Sequence, residues 1–119
     1  MPDHRSLEAW KEPRVVALGV LKASQNHWQP SAGAMFGQLQ RASLSVQLNI
    51  AEGGSFGHSA TRTRHLGIAY GSAIEAADLI DLLADAKVLP EETATQLRSS
   101  SSRCQRLLVG LLKRDRPRP

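Results

Sequence analysis

Two concentrations of positive charge are the residues best placed to do chemistry in this chain. His58, Arg62, Arg64 and His65 lie together in the sequence, in the first turns of a helix predicted to start near Ser59. Free amide donors point outward from the first turn of a helix, and amides beside cations make a ready phosphate cradle. Bases in a first turn also oppose the helix dipole, so the cluster is unexpected as plain solvation. Phosphate contact and a solvated helix end both remain open. The second concentration is Arg98, Arg103, Arg106, Lys113, Arg114, Arg116 and Arg118, set against Asp115 alone. Such side chains would hold a phosphate backbone without reading its bases.

Other patterns that suggest chemistry lack necessary parts. His4, His27, His58 and His65 are scattered, and none shows the i, i+4 spacing of a helical zinc pair. The Gly-Gly-Ser-Phe-Gly run at 53–57 lacks the lysine and the preceding strand of a phosphate loop, so it reads as a helix connector. Glu75, Asp78, Asp81 and Asp85 have no Glu-x-x-His partner of the kind that completes a di-iron bundle. Asp78 and Asp81 fall on the predicted solvent side, whereas Glu75 lies beside an apolar ridge, where an arginine could meet it. The single Cys104 excludes an internal disulfide and a multi-cysteine zinc site, and it is expected in the core. No catalytic residue, metal or cofactor is predicted, so the chain reads as non-enzymatic.

The elements that must position these groups are helices. With 119 residues and a net charge of +4, the chain suits one domain, a basic balance that permits an anionic partner without requiring one. Aromatics are only 4%, so the core must come from Leu, Ile, Val and Ala, which suit helix-on-helix packing. No apolar run approaches the roughly 20 residues of a membrane span. The first ten residues are too charged for a signal peptide, which places the protein in the cytoplasm.

The first helix is expected over 6–27, with Leu7, Trp10, Val15, Leu18, Leu21 and Trp28 as its apolar stripe. Pro13 either kinks it or marks its regular start. The second, over 34–52, puts Met35, Leu39, Ala42, Val46 and Ile50 on one face, and Gly53-Gly54 is expected to stop it. Leu44 and Leu48 project from nearly the opposite side. They are buried either within the chain, if this helix is central, or against another subunit. The third runs from a Ser59 N-cap to about Lys87, facing inward with Leu66, Ala69, Ala73, Ala76, Ala77, Ile80, Leu83 and Ala84, and with Ile68, Leu79 and Leu82 as a second ridge. The fourth starts at Pro90-Glu91-Glu92 and packs through Ala94, Leu97, Ser101, Cys104, Leu108 and Leu111, widened by Leu107 and Leu112. The fold class is all-α, an antiparallel up-down-up-down four-helix bundle over 1–113, with 114–119 as a disordered basic tail.

The runs QLQRASLSVQLNIAEG (38–53) and SATRTRHLGIAYGSAIEAADLI (59–80) resemble the signature of the 23S rRNA intervening-sequence protein family, also called the four-helix bundle protein family. Asn49, Ile50, Ala51, Glu52 and Gly53, then Gly71, Ser72 and Glu75, carry the resemblance, which extends from Leu7-Glu8-Ala9-Trp10 to the last helix. It implies a ring-like homopentamer without enzymatic activity. It also implies kinship with the accessory variability determinants of diversity-generating retroelements, basic barrels that engage nucleic acid and a reverse transcriptase. The combined expectation is a homo-oligomeric scaffold that binds RNA or DNA through His58, Arg62, Arg64, His65, Arg98, Arg103, Arg106, Lys113 and Arg114, with Leu44 and Leu48 between subunits. The alternative is a protein-protein adaptor or structural assembly whose charges serve solubility. Few aromatics are available for stacking, so phosphate contact is expected to dominate.

Overall fold

Alanine and leucine at helical spacing leave the chain little choice but to form helices, and the computed structural model has four long ones, α1 His4–His27, α2 Gly33–Gly54, α3 Ala60–Asp85 and α4 Glu91–Asp115. It describes residues 4–57 and 59–115, with side chains for 11–57 and 59–114. A single turn of 3-10 helix, Pro30–Ala32, leads into α2. No strand occurs among the described residues. At about 1.5 Å per residue, α3 is about 39 Å long, and the molecule measures 47 × 23 × 19 Å. Each helix packs against two others, with the most extensive contact between α2 and α3.

The core follows the sequence closely on three helices. Leu39, Ala42, Val46 and Ile50 of α2, Leu66, Ala69, Ala73, Ala76, Ile80 and Leu83 of α3, and Ala94, Leu97, Ser101, Cys104, Leu108 and Leu111 of α4 are all buried. Phe36, which the periodicity passed over, is the largest fully buried side chain. Burying a ring of that size stabilises the fold by about 1.5–3 kcal/mol. Of the expected second ridge on α3, Ile68 and Leu82 stay half exposed while Leu79 packs against the core.

α1 departs from its expected phase. Val15, Leu18, Leu21 and Trp28 are half exposed. The buried stripe is instead Pro13, Val16, Val20, Ala23 and Ser24. The inward face has selected the smaller side chains, and the Ser24 hydroxyl is accommodated by donating to the Val20 carbonyl at 2.8 Å. The helix continues through Pro13, so it does not start there. The side chains of Leu7 and Trp10 lie outside the described residues.

The helix ends show how local chemistry sets the connections. α2 runs through Gly53 and Gly54, and its C-cap is Ser55, in right-handed geometry, whose hydroxyl donates to the Glu52 carbonyl at 2.7 Å. The glycine that takes a left-handed conformation is Gly57, at φ 66, rather than the expected pair, because the turn falls after Ser55 and Phe56. Ser59 caps α3 by accepting from the Arg62 amide at 3.1 Å. At the other end Lys87 adopts φ 62. The Val88 amide donates to the Leu83 carbonyl and the Lys87 amide to that of Ala84, both at 3.0 Å. This is a Schellman closure with lysine where glycine is usual. At the start of α4 the Pro90 carbonyl accepts the first helical bond, from Ala94 at 2.9 Å, and Glu91 and Glu92 fill the first turn. α4 then extends to Asp115, two residues into the stretch expected to be disordered. Residues 116–119 of that expected tail lie outside the described residues.

Candidate functional site

Where α2 meets α3, a line of polar side chains runs along the contact. Ser45 and Ser72 share a hydroxyl hydrogen bond at 2.8 Å. The Asn49 amide donates to the Ser45 carbonyl at 2.9 Å and to its hydroxyl at 3.2 Å. With its nitrogen so committed, Asn49 turns its Oδ1 toward His65 Nδ1, 3.0 Å away. His65 therefore carries a proton on Nδ1, an assignment made from the hydrogen-bond pattern. The His65 ring lies parallel to that of Phe56, with centroids 5.9 Å apart and planes within 4°.

Gly53 completes this fixture. A Cβ there would stand 3.0 Å from the Cβ of His65, so any larger residue would require α2 and α3 to shift apart by a few tenths of an ångström. Farther along the same contact, Gln38 donates to Glu75 Oε1 at 3.0 Å and accepts from Arg41 at 2.7 Å. Glu75 thus meets an amide, with the arginine one bond further out. Asn49, Gly53, Ser72 and Glu75 all serve this one contact. Ile50 is core, whereas Ala51, Glu52 and Gly71 are exposed.

The basic residues expected to bind anions divide. Arg64, Lys113 and Arg114 are exposed. Arg62 is half-buried, and its own amide is used by the Ser59 cap. Arg98 is paired with Asp81 at 2.7 Å, and Arg103 with Glu12 at 3.3 Å while also donating to Ser99 at 2.9 Å. Arg106 donates to Ser102 at 2.8 Å. The run Ser99 to Ser102, a poor helix former by composition, thereby supplies hydroxyls that hold two arginines along α4, while Ser101 is buried. These exposed ion pairs contribute little stability, about 0–1 kcal/mol each. His58 lies outside the described residues.

A second surface is apolar. Leu44 and Leu48 are 50% and 62% exposed, so the described residues do not bury the outer face of α2. Leu18, Leu21 and Leu44 line a groove of about 220 Å³ between α1 and α2, rimmed by Arg14, Gln40 and Gln47. Among the described residues no three His, Cys, Asp or Glu side chains come together in a metal-binding group, and no helix is long and apolar enough to cross a membrane.

Sequence reasoning singled out His65 and the motif residues but not their connection. It took Phe56 only as part of a connector. The available signal was its being the one large apolar residue among Gly53, Gly54, Ser55 and Gly57.

Comparison with curated proteins finds no match. Among solved structures, the chain is similar to a protein of unknown function from the S23 ribosomal protein family of Bacteroides thetaiotaomicron, with TM-score 0.83 at 19% identity over 92% of this chain and 98% of that one. At that identity the likeness concerns the fold. The profile of the 23S rRNA-intervening sequence protein family matches residues 5–110, a span that holds the whole α2–α3 contact, and the chain belongs to that family.

Proposed function

We propose that the protein is a non-enzymatic, homo-oligomeric four-helix scaffold that binds RNA or DNA through basic side chains repeated around the assembly. The observation that carries the reading is the exposed leucine surface of α1 and α2, where Leu18, Leu21 and Leu44 line one groove and Leu48 stands beside it on α2. Large apolar side chains gathered on one surface mark a contact with another molecule, and a second copy supplies the same surface. The helices are taken as antiparallel, a reading supported by the partners Gln38–Glu75, Ser45–Ser72 and Asn49–His65, which ascend α2 while descending α3. The family resemblance adds a pentameric ring and, through kinship with the accessory variability determinants, a reverse transcriptase as protein partner. A basic chain whose Arg64, Lys113 and Arg114 are exposed supports the nucleic-acid part, and repetition around a ring would raise avidity well above that of one subunit.

The adaptor reading draws on one observation of its own. Arg98 and Arg103 already face acids within the chain, which lowers their availability to phosphate.

Light scattering should give several times the 12.9 kDa chain mass, and a monomer at high concentration would end the assembly reading. Fluorescence anisotropy at low and physiological salt should show nucleic-acid binding that weakens with salt. A chain truncated after Leu112, or Arg62→Ala with Arg64→Ala, should have a shallower salt slope, because fewer counterions are released. Absence of binding by the intact oligomer at low salt would favour the adaptor.

A further inference from the structure

Phe56 is half exposed at the α2–α3 connection, an unusual place for a phenylalanine with no apolar neighbour in its own loop. Its ring lies parallel to that of His65 in an offset arrangement, with the centroids 5.9 Å apart. His65 in turn is fixed from three directions. Asn49 accepts from its Nδ1, Gly53 brings the α2 backbone against its Cβ, and the Ser45–Ser72 bond ties the two helices together just beyond Asn49. Four residues of two helices thus hold one imidazole at a set angle, and the Phe56 ring lies parallel to it.

The surroundings suit a flat anionic polymer. Gly54, Ser55 and Gly57 are exposed and small. Arg64 is exposed next to His65 in the sequence, while Arg62 lies one turn before it on α3. An aromatic face beside cations is the combination that holds single strands, with stacking for the base and charge for the phosphate. A duplex keeps its bases stacked on one another and could use only the charge.

We propose that the exposed ring of Phe56, parallel to His65, is a stacking platform for one unpaired base of a single-stranded nucleic acid, with the exposed Arg64, next to His65 in the sequence, for the phosphate. The proposal rests on the nucleic-acid reading above and adds that the preferred ligand is single-stranded. A preorganised pair of rings loses little freedom when a base is added, which favours binding at a site otherwise made of small residues.

The test uses the full chain at low salt with three fluorescent ligands, a short oligo-uridine, the matching oligo-thymidine and an RNA duplex of the same length. The wild type should bind the single strands more tightly than the duplex. Phe56→Ala should weaken single-strand binding by about fivefold to a hundredfold, as expected for loss of one stacked base, and leave duplex binding and the salt slope unchanged. Phe56→Trp should restore the preference. The two oligonucleotides separate RNA from DNA as the source of the base. Equal weakening on single strand and duplex, or no change on either, would overturn the platform while leaving nucleic-acid binding in place. Failure of the wild type to bind any of the three would overturn the broader reading as well. Loss of oligomer mass in Phe56→Ala would put the ring in a subunit contact and also overturn the platform.

Discussion

Burial pushes the Cys104 thiol up from an ordinary 9.0 to about 12, and the Glu12 carboxylate nearby pushes in the same direction. The thiolate is the reactive form, so this residue should be inert while the chain is folded. At pH 8, labelling by a thiol reagent should be slow in native protein and fast in urea. Equal rates would show that the α4 core opens locally. The same shift has a sign for stability. The folded protein keeps a proton that the unfolded chain releases above about 9, so the contribution is fully present below that pH and is lost as pH rises toward about 12. Cys104 was legible as a core residue because α4 repeats its apolar positions strictly, and all six of them are buried as the spacing required. The Asn49–His65 bond was not legible. Its partners are 16 residues apart on different helices, and no local pattern indicates which α3 side chain an α2 side chain will meet. Nor did the low aromatic content, which argued against base stacking, show that Phe56 would lie parallel to an imidazole.

At the scale of elements, two glycines of the family motif make opposite predictions. Gly71 is exposed within α3, with nothing within 4 Å of a Cβ built there. Gly71→Ala should therefore raise stability by about 1 kcal/mol through helix propensity alone. Gly53 sits in the last turns of α2, but its Cβ would press on His65 at 3.0 Å, and a contact between two backbone-anchored carbons cannot be relieved by rotating a side chain. Gly53→Ala should lower stability by up to about 2 kcal/mol, the overpacking cost exceeding the propensity gain. Urea denaturation of both variants checks the pair. A stabilised Gly53→Ala would show that the helices part easily, and a destabilised Gly71→Ala would place that face of α3 against another subunit. Elements also explain the misread face of α1. Val15, Leu18 and Leu21 are larger in sum than Val16, Val20, Ala23 and Ser24, and a reading weighted by apolar size selects the larger set. Packing inside the bundle selects the smaller, because close helix approach leaves little room between the axes.

For the whole molecule, the proposed assembly makes its prediction at the leucines left outside the bundle. Replacing Leu44 and Leu48 by Glu should lower the mass seen by light scattering and leave the helical circular dichroism signal largely intact, since both side chains are at least half exposed in the chain. A variant that unfolds instead would show that these residues support the single chain.

The polar line between α2 and α3 has one more consequence, which concerns alignment. Ala69, Ala73 and Ala76 give the middle of α3 a nearly smooth inner surface between Leu66 and Ile80, and a one-turn slide, about 5.4 Å, would exchange alanine for alanine within that stretch. The polar partners do not tolerate that exchange. A hydroxyl meets a hydroxyl at Ser45 and Ser72, an amide meets an imidazole at Asn49 and His65, and an amide meets a carboxylate at Gln38 and Glu75. Since no two of these pairs are interchangeable, only one alignment satisfies all three. They act as locating pins along a stretch whose alanines do little to set the alignment, adding to the fit of Leu66, Ile80 and Leu83 at its ends.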